Sequence, residues 1–268
     1  MATVSVTSLE EFVSAVAVQG DTVVCPEGAD WDANDSYPDG YDGDISWNAS
    51  VLGNGTTIRN LRLYGSFAAG NETVRPYTDA LRIVDLIGSR ASSDNQPGLF
   101  QGNYHFTNCV MSAVLNDRYN RIVRWFYGSS ALLANKCSFN IDAAGNFDTF
   151  GMGKVRYSRF ELHLPNSSWY PYWAANEKCE ESELAIFAPN AGGLYSWQFP
   201  GCIIHGELPN TQELASGGSW SGDMMLYSTD GLPNFSPYDP VHCVGVTDAQ
   251  LRDPAYLRSI GFPIAIGG

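Results

Sequence analysis

The chain has 268 residues, and its 15 Lys+Arg against 29 Asp+Glu leave a formal charge of −14. That balance cannot supply the counterion release on which binding to a nucleic-acid backbone depends, and 44% apolar with 16% charged residues exclude a disordered chain. The length suffices for a sizeable core in one domain, provided that the domain is all-β or a solenoid.

The first twenty residues, MATVSVTSLEEFVSAVAVQG, carry Glu10 and Glu11, no basic leader and no long apolar block, so they do not read as a secretory signal. No stretch approaches the roughly eighteen apolar residues of a membrane span, which predicts no membrane insertion. Ser8 followed by Glu11 is a capping-box pattern, Leu9, Phe12, Val13 and Val16 form one apolar face, and Gly20 is a stop. The spacing therefore predicts a short amphipathic helix that turns through Gly20-Asp21 into the strand TVVC. An opening of this kind closes the exposed first coil of a β-solenoid.

The polar stretch that follows holds Asp30, Asp32, Asp35, Asp39, Asp42 and Asp44. Closely spaced carboxylates suit calcium, but the spacing is not that of an EF-hand loop, and a solvated turn accounts for it as well.

From residue 51 onward, short strand-like units alternate with Gly, Asn, Ser and Pro: TTIRNLRLYG, DALRIVDLIG, NYHFTNCVMSAV, SALLANKCSFNI, KVRYSRFELHL, ESELAIFA and PGCIIHGEL. Taking Leu61, Ile83, Cys109, Cys137, Phe160, Leu184 and Cys202 as equivalent inward positions gives intervals of 22, 26, 28, 23, 24 and 18 residues. Alternating pairs such as Phe160/Leu162 and Leu184/Ile186 are the period-two mark of strands with one face on a core. Recurrence at this length, without intervening helical patterns, predicts an all-β parallel β-helix of eight or nine coils, with a β-sandwich as the competing fold. Asn60, Asn108, Asn135 and Asn140 are candidates for unusual bend conformations beside the strands.

Two segments interrupt the rhythm and read as loops: NSSWYPYWAANEKCEES, with Trp169, Tyr170, Tyr172 and Trp173, and a Gly/Pro-rich stretch with Trp220, Tyr227, Phe235 and Tyr238. At the tail, Thr247 and Gln250 begin a further capping box, with Leu251, Tyr256, Leu257 and Ile260 at helical spacing and Gly261 as the stop. This predicts one final helix over the last coil. With no break in composition, residues 1–268 read as one domain: a cap over 1–20, coils over 21–246 with loops near 165–182 and 216–240, and a helix and tail over 247–268.

Cys25, Cys109, Cys137, Cys179, Cys202 and Cys243 are scattered singly, without a C-x-x-C or a His at ligand spacing, which predicts buried free thiols. No glycine-rich phosphate loop or nucleophile elbow occurs, so no cofactor is predicted. A serine triad from Ser219 with His205 or His242 lacks its strand-to-helix context. For glycan hydrolysis two carboxylates must face each other, and Asp142, Asp148, Glu161, Glu180, Glu181 and Glu183 are the candidates. His163 and His205 alternate with apolar neighbours and are expected to face solvent or a partner subunit.

The coils, with the segment GDTVVCPEGADWD and the later LGNGTTIRNLRLYG, resemble the pectate-lyase-like superfamily of single-stranded right-handed parallel β-helices. The closing YLRSIGFPI segment is also similar to β-helix proteins of gut bacteria and their phages. The resemblance implies either polysaccharide cleavage or multivalent attachment as a virion spike, fibre or decoration protein, often trimeric. Lyases of the superfamily use a basic residue and aspartate-bound calcium. Those motifs have no counterpart here: Arg59 and Arg62 flank one strand and Asp79 and Asp85 the next, but no carboxylate cluster recurs at coil spacing. Fold alone does not assign function.

Exposed Trp and Tyr offer flat faces to sugars or proteins, so Trp169, Tyr170, Tyr172, Trp173, Trp220 and Tyr238 are the candidate binding residues; cover for the solenoid flank is the other reading of WYPYW. The expectation is a structural or attachment protein of a phage or prophage virion, working as a homo-oligomer, with a trimer favoured. Its partners would be other virion proteins or a host-surface glycan, and it would reside in the virion, or in the host cytoplasm before lysis. A carbohydrate-active β-helix enzyme is the alternative.

Overall fold

The computed structural model of the chain describes residues 1–69, 76–89, 98–115, 123–127, 132–144, 147–149, 154–166, 179–190, 199–207, 223–233, 235 and 240–262. Among these residues every strand pairing is parallel, and the strands stack into three faces. Face A holds Thr3–Ser5, Thr22–Val24, Ser50–Leu52, Tyr77–Asp79, Tyr104–Thr107, Leu132–Asn135, Val155–Arg156 and Cys179–Glu180. Face B starts at Asp30–Asp32 and Thr57–Arg59, continues through Arg82–Gly88, Val110–Leu115, Ser138–Ala143, Arg159–His163, Glu183–Phe187, Ile203–Glu207 and Met225–Ser228, and ends at Cys243–Val246; Arg62–Leu63 also pairs with Arg82–Gly88. Face C holds Ile45–Ser46, Phe67–Ala68, Gly98–Gln101, Val123–Tyr127 and Phe147–Thr149. From Thr22 to Thr149 the described strands visit A, B and C in turn, which is the parallel β-helix that the strand recurrence predicts.

Three of the units, NYHFTNCVMSAV, SALLANKCSFNI and KVRYSRFELHL, turn out to be a strand of face A, a sharp corner and a strand of face B; DALRIVDLIG begins at the last residue of its face A strand, and the other three hold strands of face B alone. The corner residues Gly28, Gly55, Ala80, Asn108, Lys136, Tyr157, Glu181 and Gly201 all have positive φ, from 47° to 77°. Of the four asparagines expected at bends, Asn108 occupies this column and Asn60 (φ 61°) a second bend, whereas Asn135 and Asn140 lie inside strands. A side chain in the left-handed region costs roughly 1–2 kcal/mol, and exposed Lys136 has that conformation (φ 53°). Lys136→Gly is therefore expected to raise unfolding stability by about 1 kcal/mol, after allowing for the greater freedom of glycine in the unfolded chain; urea titration of the two proteins checks it.

The register differs from the spacing estimate. The residues that stack on face B are Trp31, Ile58, Ile83, Met111, Phe139, Phe160, Leu184, Ile204 and Tyr227. Ile83, Phe160 and Leu184 were placed correctly. Cys109, Cys137 and Cys202 stand two residues earlier, in the corner, and Leu61 belongs to the neighbouring inward column with Leu86. Period-two alternation leaves this error open, because residues two apart share a face. Face B has ten rungs along its main path, more than the eight or nine coils expected, because Asp30–Asp32 forms the first rung within the aspartate-rich stretch. The strands Cys179–Glu180 and Met225–Ser228 likewise lie within the two segments read as loops.

One hydrophobic core runs from Val6 to Cys243 and includes all six cysteines, each a buried free thiol. Helix α1 (Leu9–Val16) closes its first end as predicted: Ser8 Oγ accepts from the Glu11 amide at 3.3 Å, and Leu9, Phe12 and Val16 are buried. Glu11 reaches back one residue further than a capping box requires, accepting from the Thr7 amide at 2.7 Å. Phe12 meets Trp47 edge-on at 5.6 Å and Trp47 meets Phe67 at 5.5 Å, so the cap continues a line of rings that runs to Phe100, Tyr104 and Phe106. Helix α2 (Ala33–Ser36) packs beside α1, with Asp32 as its cap.

The C-terminal end corrects the expectation of a single helix. Pro254 cannot continue one, so α3 (Asp248–Leu251) stops at Arg252, and α4 (Pro254–Ser259) restarts with Asp253 as its cap. The Thr247–Gln250 capping box is present in full. Leu251, Leu257 and Phe262 pack on Ile203, Leu226 and Val246, a second core separate from the one holding Ile204 and Met225. Adjacent strand residues thus enter different cores, which places α3 and α4 on the outer side of face B.

Candidate functional site

The outer side of face B carries charge at its first rungs, is covered by α3 and α4 at its last, and between them holds a polar cluster. At the first rungs Arg59 bonds Asp30 Oδ1 through Nε at 3.1 Å and Asp32 Oδ2 through Nη1 at 2.6 Å, while the Asn60 amide donates to both oxygens of Asp32 at 3.1 Å. Asp44 accepts from the Ser66 amide. Three of the aspartates considered for calcium thus bind protein donors, and among the described residues no group of three or more His, Cys, Asp or Glu is arranged to hold a metal.

The Asn34 backbone amide and the Asn60 side chain, with Arg59 nearby, hold the Asp32 carboxyl below the usual carboxylate range. A depressed folded-state pKa contributes stability that is present above the unfolded pKa of about 4 and is lost as pH falls through the lower folded value. Asp32→Asn keeps a capping side chain but removes the titration. The thermal midpoint of the wild type is expected to exceed that of the variant near neutrality, with the gap closing below about pH 4.

The middle cluster comes from three successive rungs. Arg159, Glu161 and His163 alternate outward on one strand; Glu183, Ala185 and Phe187 on the next; His205 on the third, with Glu161, Ala185 and His205 in register. Glu161 bonds Arg159 Nη2 through Oε2 and His163 Nε2 through Oε1, both at 3.0 Å. Glu183 Oε1 lies 2.8 Å from His205 Nε2 and 3.8 Å from Arg159 Nε. The His163 ring stacks on Phe187 at 4.8 Å. Ala185 contributes only a methyl group, so it forms a buried floor with Glu161, Glu183, Phe187 and His205 around it. The Glu183 side chain keeps 9% exposure and that of Glu161 27%, so the second remains the more open carboxylate.

Comparison with protein-family models, curated proteins and solved structures finds no match. The likeness to pectate-lyase-like proteins accordingly rests on architecture, a parallel β-solenoid with terminal helices.

Of the six candidate carboxylates, Glu161 and Glu183 are brought together, and both strand histidines join them. Asp142 stands on the preceding rung opposite His163. Glu180 and Glu181 turn away to Arg156, at 3.1 and 3.0 Å, and Asp148 belongs to a strand of face C. Alternation identifies Glu161 and His163 as outward neighbours, but which later residues stack beside them follows only from register. Tyr227 and Phe235, read as members of an aromatic loop, pack on each other at 4.5 Å against the core. Trp169, Tyr170, Tyr172, Trp173, Trp220, Tyr238 and Ser219 lie outside the described residues. A concavity of about 590 Å³ lies between the edge strand Thr3–Ser5 and α1, lined by Val4, Val6, Ala15 and Val18 with Glu10 and Glu11. No described helix is long and apolar enough to cross a membrane.

Proposed function

We propose that the chain is a structural or attachment protein, a stiff solenoid serving as a phage or prophage virion component and assembled as a trimer that presents a protein- or glycan-binding surface. The observation that carries this reading is the use of outward charge. Arg59 with Asp30 and Asp32, Arg156 with Glu180 and Glu181, Arg159 with Glu183, and His205 with Glu183 all join one rung to the next. Charge placed this way reinforces a stack rather than standing poised over a cavity, although each exposed pair alone contributes little. The acidic balance favours a neutral or basic partner over a phosphate-rich one. Light scattering of the purified chain tests the assembly: a species near three chain masses is the expected result, and a clean monomer overturns the trimeric virion component.

The Glu161–Glu183 arrangement around Ala185 favours a second reading, a carbohydrate-active enzyme, because a pair of carboxyl groups is what general acid–base cleavage of a glycosidic bond requires. A screen of polysaccharides with and without calcium separates the two. Cleavage that disappears in both Glu161→Gln and Glu183→Gln establishes the enzyme; binding without cleavage, unchanged in those variants, supports attachment.

A further inference from the structure

Cys179 and Cys202 belong to successive turns of the solenoid. Cys179 opens the last described strand of face A, and Cys202 sits in the next corner, directly before the rung Ile203–Glu207. Both side chains are fully buried, and their sulfurs are 3.8 Å apart, with Cys202 Sγ also donating to the Cys179 carbonyl at 3.2 Å. Two thiols in van der Waals contact need an approach of only about 2 Å to reach a disulfide bond length of roughly 2.05 Å. The pair lies in the main hydrophobic core, to which Phe199 and Ile204 also belong. We infer that Cys179 and Cys202 are a disulfide-forming pair that cross-links two turns of the solenoid by exchange with a small-molecule disulfide such as oxidised glutathione.

In the first step one cysteine thiolate attacks a sulfur of oxidised glutathione; a mixed disulfide forms and one glutathione thiolate leaves. In the second step the neighbouring thiolate attacks the protein sulfur of that mixed disulfide, closing Cys179–Cys202 and releasing the second glutathione. The two protein thiols are oxidised by two electrons, the glutathione disulfide is reduced, and the two thiol protons pass to the departing glutathione thiolates. Burial pushes the Cys202 thiol well above its ordinary range, which disfavours thiolate in the closed rung. Exchange therefore proceeds while this turn is open, during folding or local unfolding. The completed bond encloses residues 180–201 and limits their freedom in the unfolded chain.

Refolding the full chain in a glutathione redox buffer, blocking free thiols under denaturing conditions and mapping peptides by mass spectrometry tests the inference. The expected result is a Cys179–Cys202 cross-linked peptide and an intact mass lower by the two thiol hydrogens. Without reductant the folded-to-unfolded ratio should be on the order of 100-fold higher than with it, and that difference should vanish in Cys179→Ala and in Cys202→Ala. Recovery of both cysteines as blocked thiols or as glutathione adducts overturns the inference, as does a bond from either one to a different cysteine. The peptide map of the unsubstituted chain decides the matter even if the alanine variants fold poorly.

Discussion

Phe160→Ala will lower unfolding stability by about 3–5 kcal/mol. The ring is fully buried and stacks on Phe139 at 4.9 Å with an interplanar angle of 13°, while Leu184 covers its other side in the same column. Truncation removes the transfer free energy of the ring and leaves a cavity bounded by two rungs that are hydrogen-bonded along the stack and cannot collapse into it. In a solenoid each rung contacts mainly its neighbours, so the loss falls on the junction that also positions Arg159, Glu161 and His163 on the reverse side of the same strand. Val114→Ser is the control: Val114 points outward on face B at 48% exposure, and its replacement should change stability by no more than about 0.5 kcal/mol. Urea unfolding of the three proteins measures both. Equal losses in the two variants would mean that alternation does not separate core from surface here.

What could be read in the sequence and what could not divides along the range of the interaction concerned. The cap at Ser8, the capping box at Thr247 and the alternation within each strand are set by residues within about four positions, and all three are legible. Register is not, because the rungs of face B recur at 27, 25, 28, 28, 21, 24, 20, 23 and 18 residues from Trp31 to Gly245. The connections that absorb this variation leave no periodic trace, and the buried corner cysteines look like inward strand positions. Asp30–Asp32 stayed hidden for a different reason: its two carboxylates mask a strand whose central Trp31 points inward, and Arg59, which neutralises them, comes from the following coil. The site follows the same logic. Glu161 and His163 share a strand and are visible as an alternating pair, whereas Glu183 and His205 reach them from two later rungs.

Gly206→Ala should be damaging for a reason unlike that of Phe160→Ala. Gly206 lies in the rung Ile203–Glu207 opposite Ile186, with φ at 119°, a backbone conformation that residues with side chains rarely adopt. A Cβ built there would stand 2.1 Å from the Ile186 carbonyl oxygen, and a Cβ on Gly231 would stand 1.8 Å from the Gly206 oxygen. The obstacle in both cases is backbone belonging to an adjacent turn, which cannot rotate aside as a side chain can. Strain at such a backbone costs about 1–3 kcal/mol and overpacking about 1–3 kcal/mol more, so the loss should approach roughly 4 kcal/mol. Gly28→Ala isolates the first contribution: Gly28 also has positive φ, at 60°, but nothing lies within 4 Å of its added Cβ, and its loss should stay near 1–2 kcal/mol. Thermal unfolding of both variants separates close approach from dihedral strain, and equal losses would assign the whole effect to the dihedral. His205 adjoins Gly206 and bonds Glu183, and the neighbouring rungs seat α3 and α4. A displaced rung at Gly206 should therefore also release the His205–Glu183 contact, which the ring-proton chemical shifts of His205 at one fixed pH would register as changed in Gly206→Ala and unchanged in Gly28→Ala.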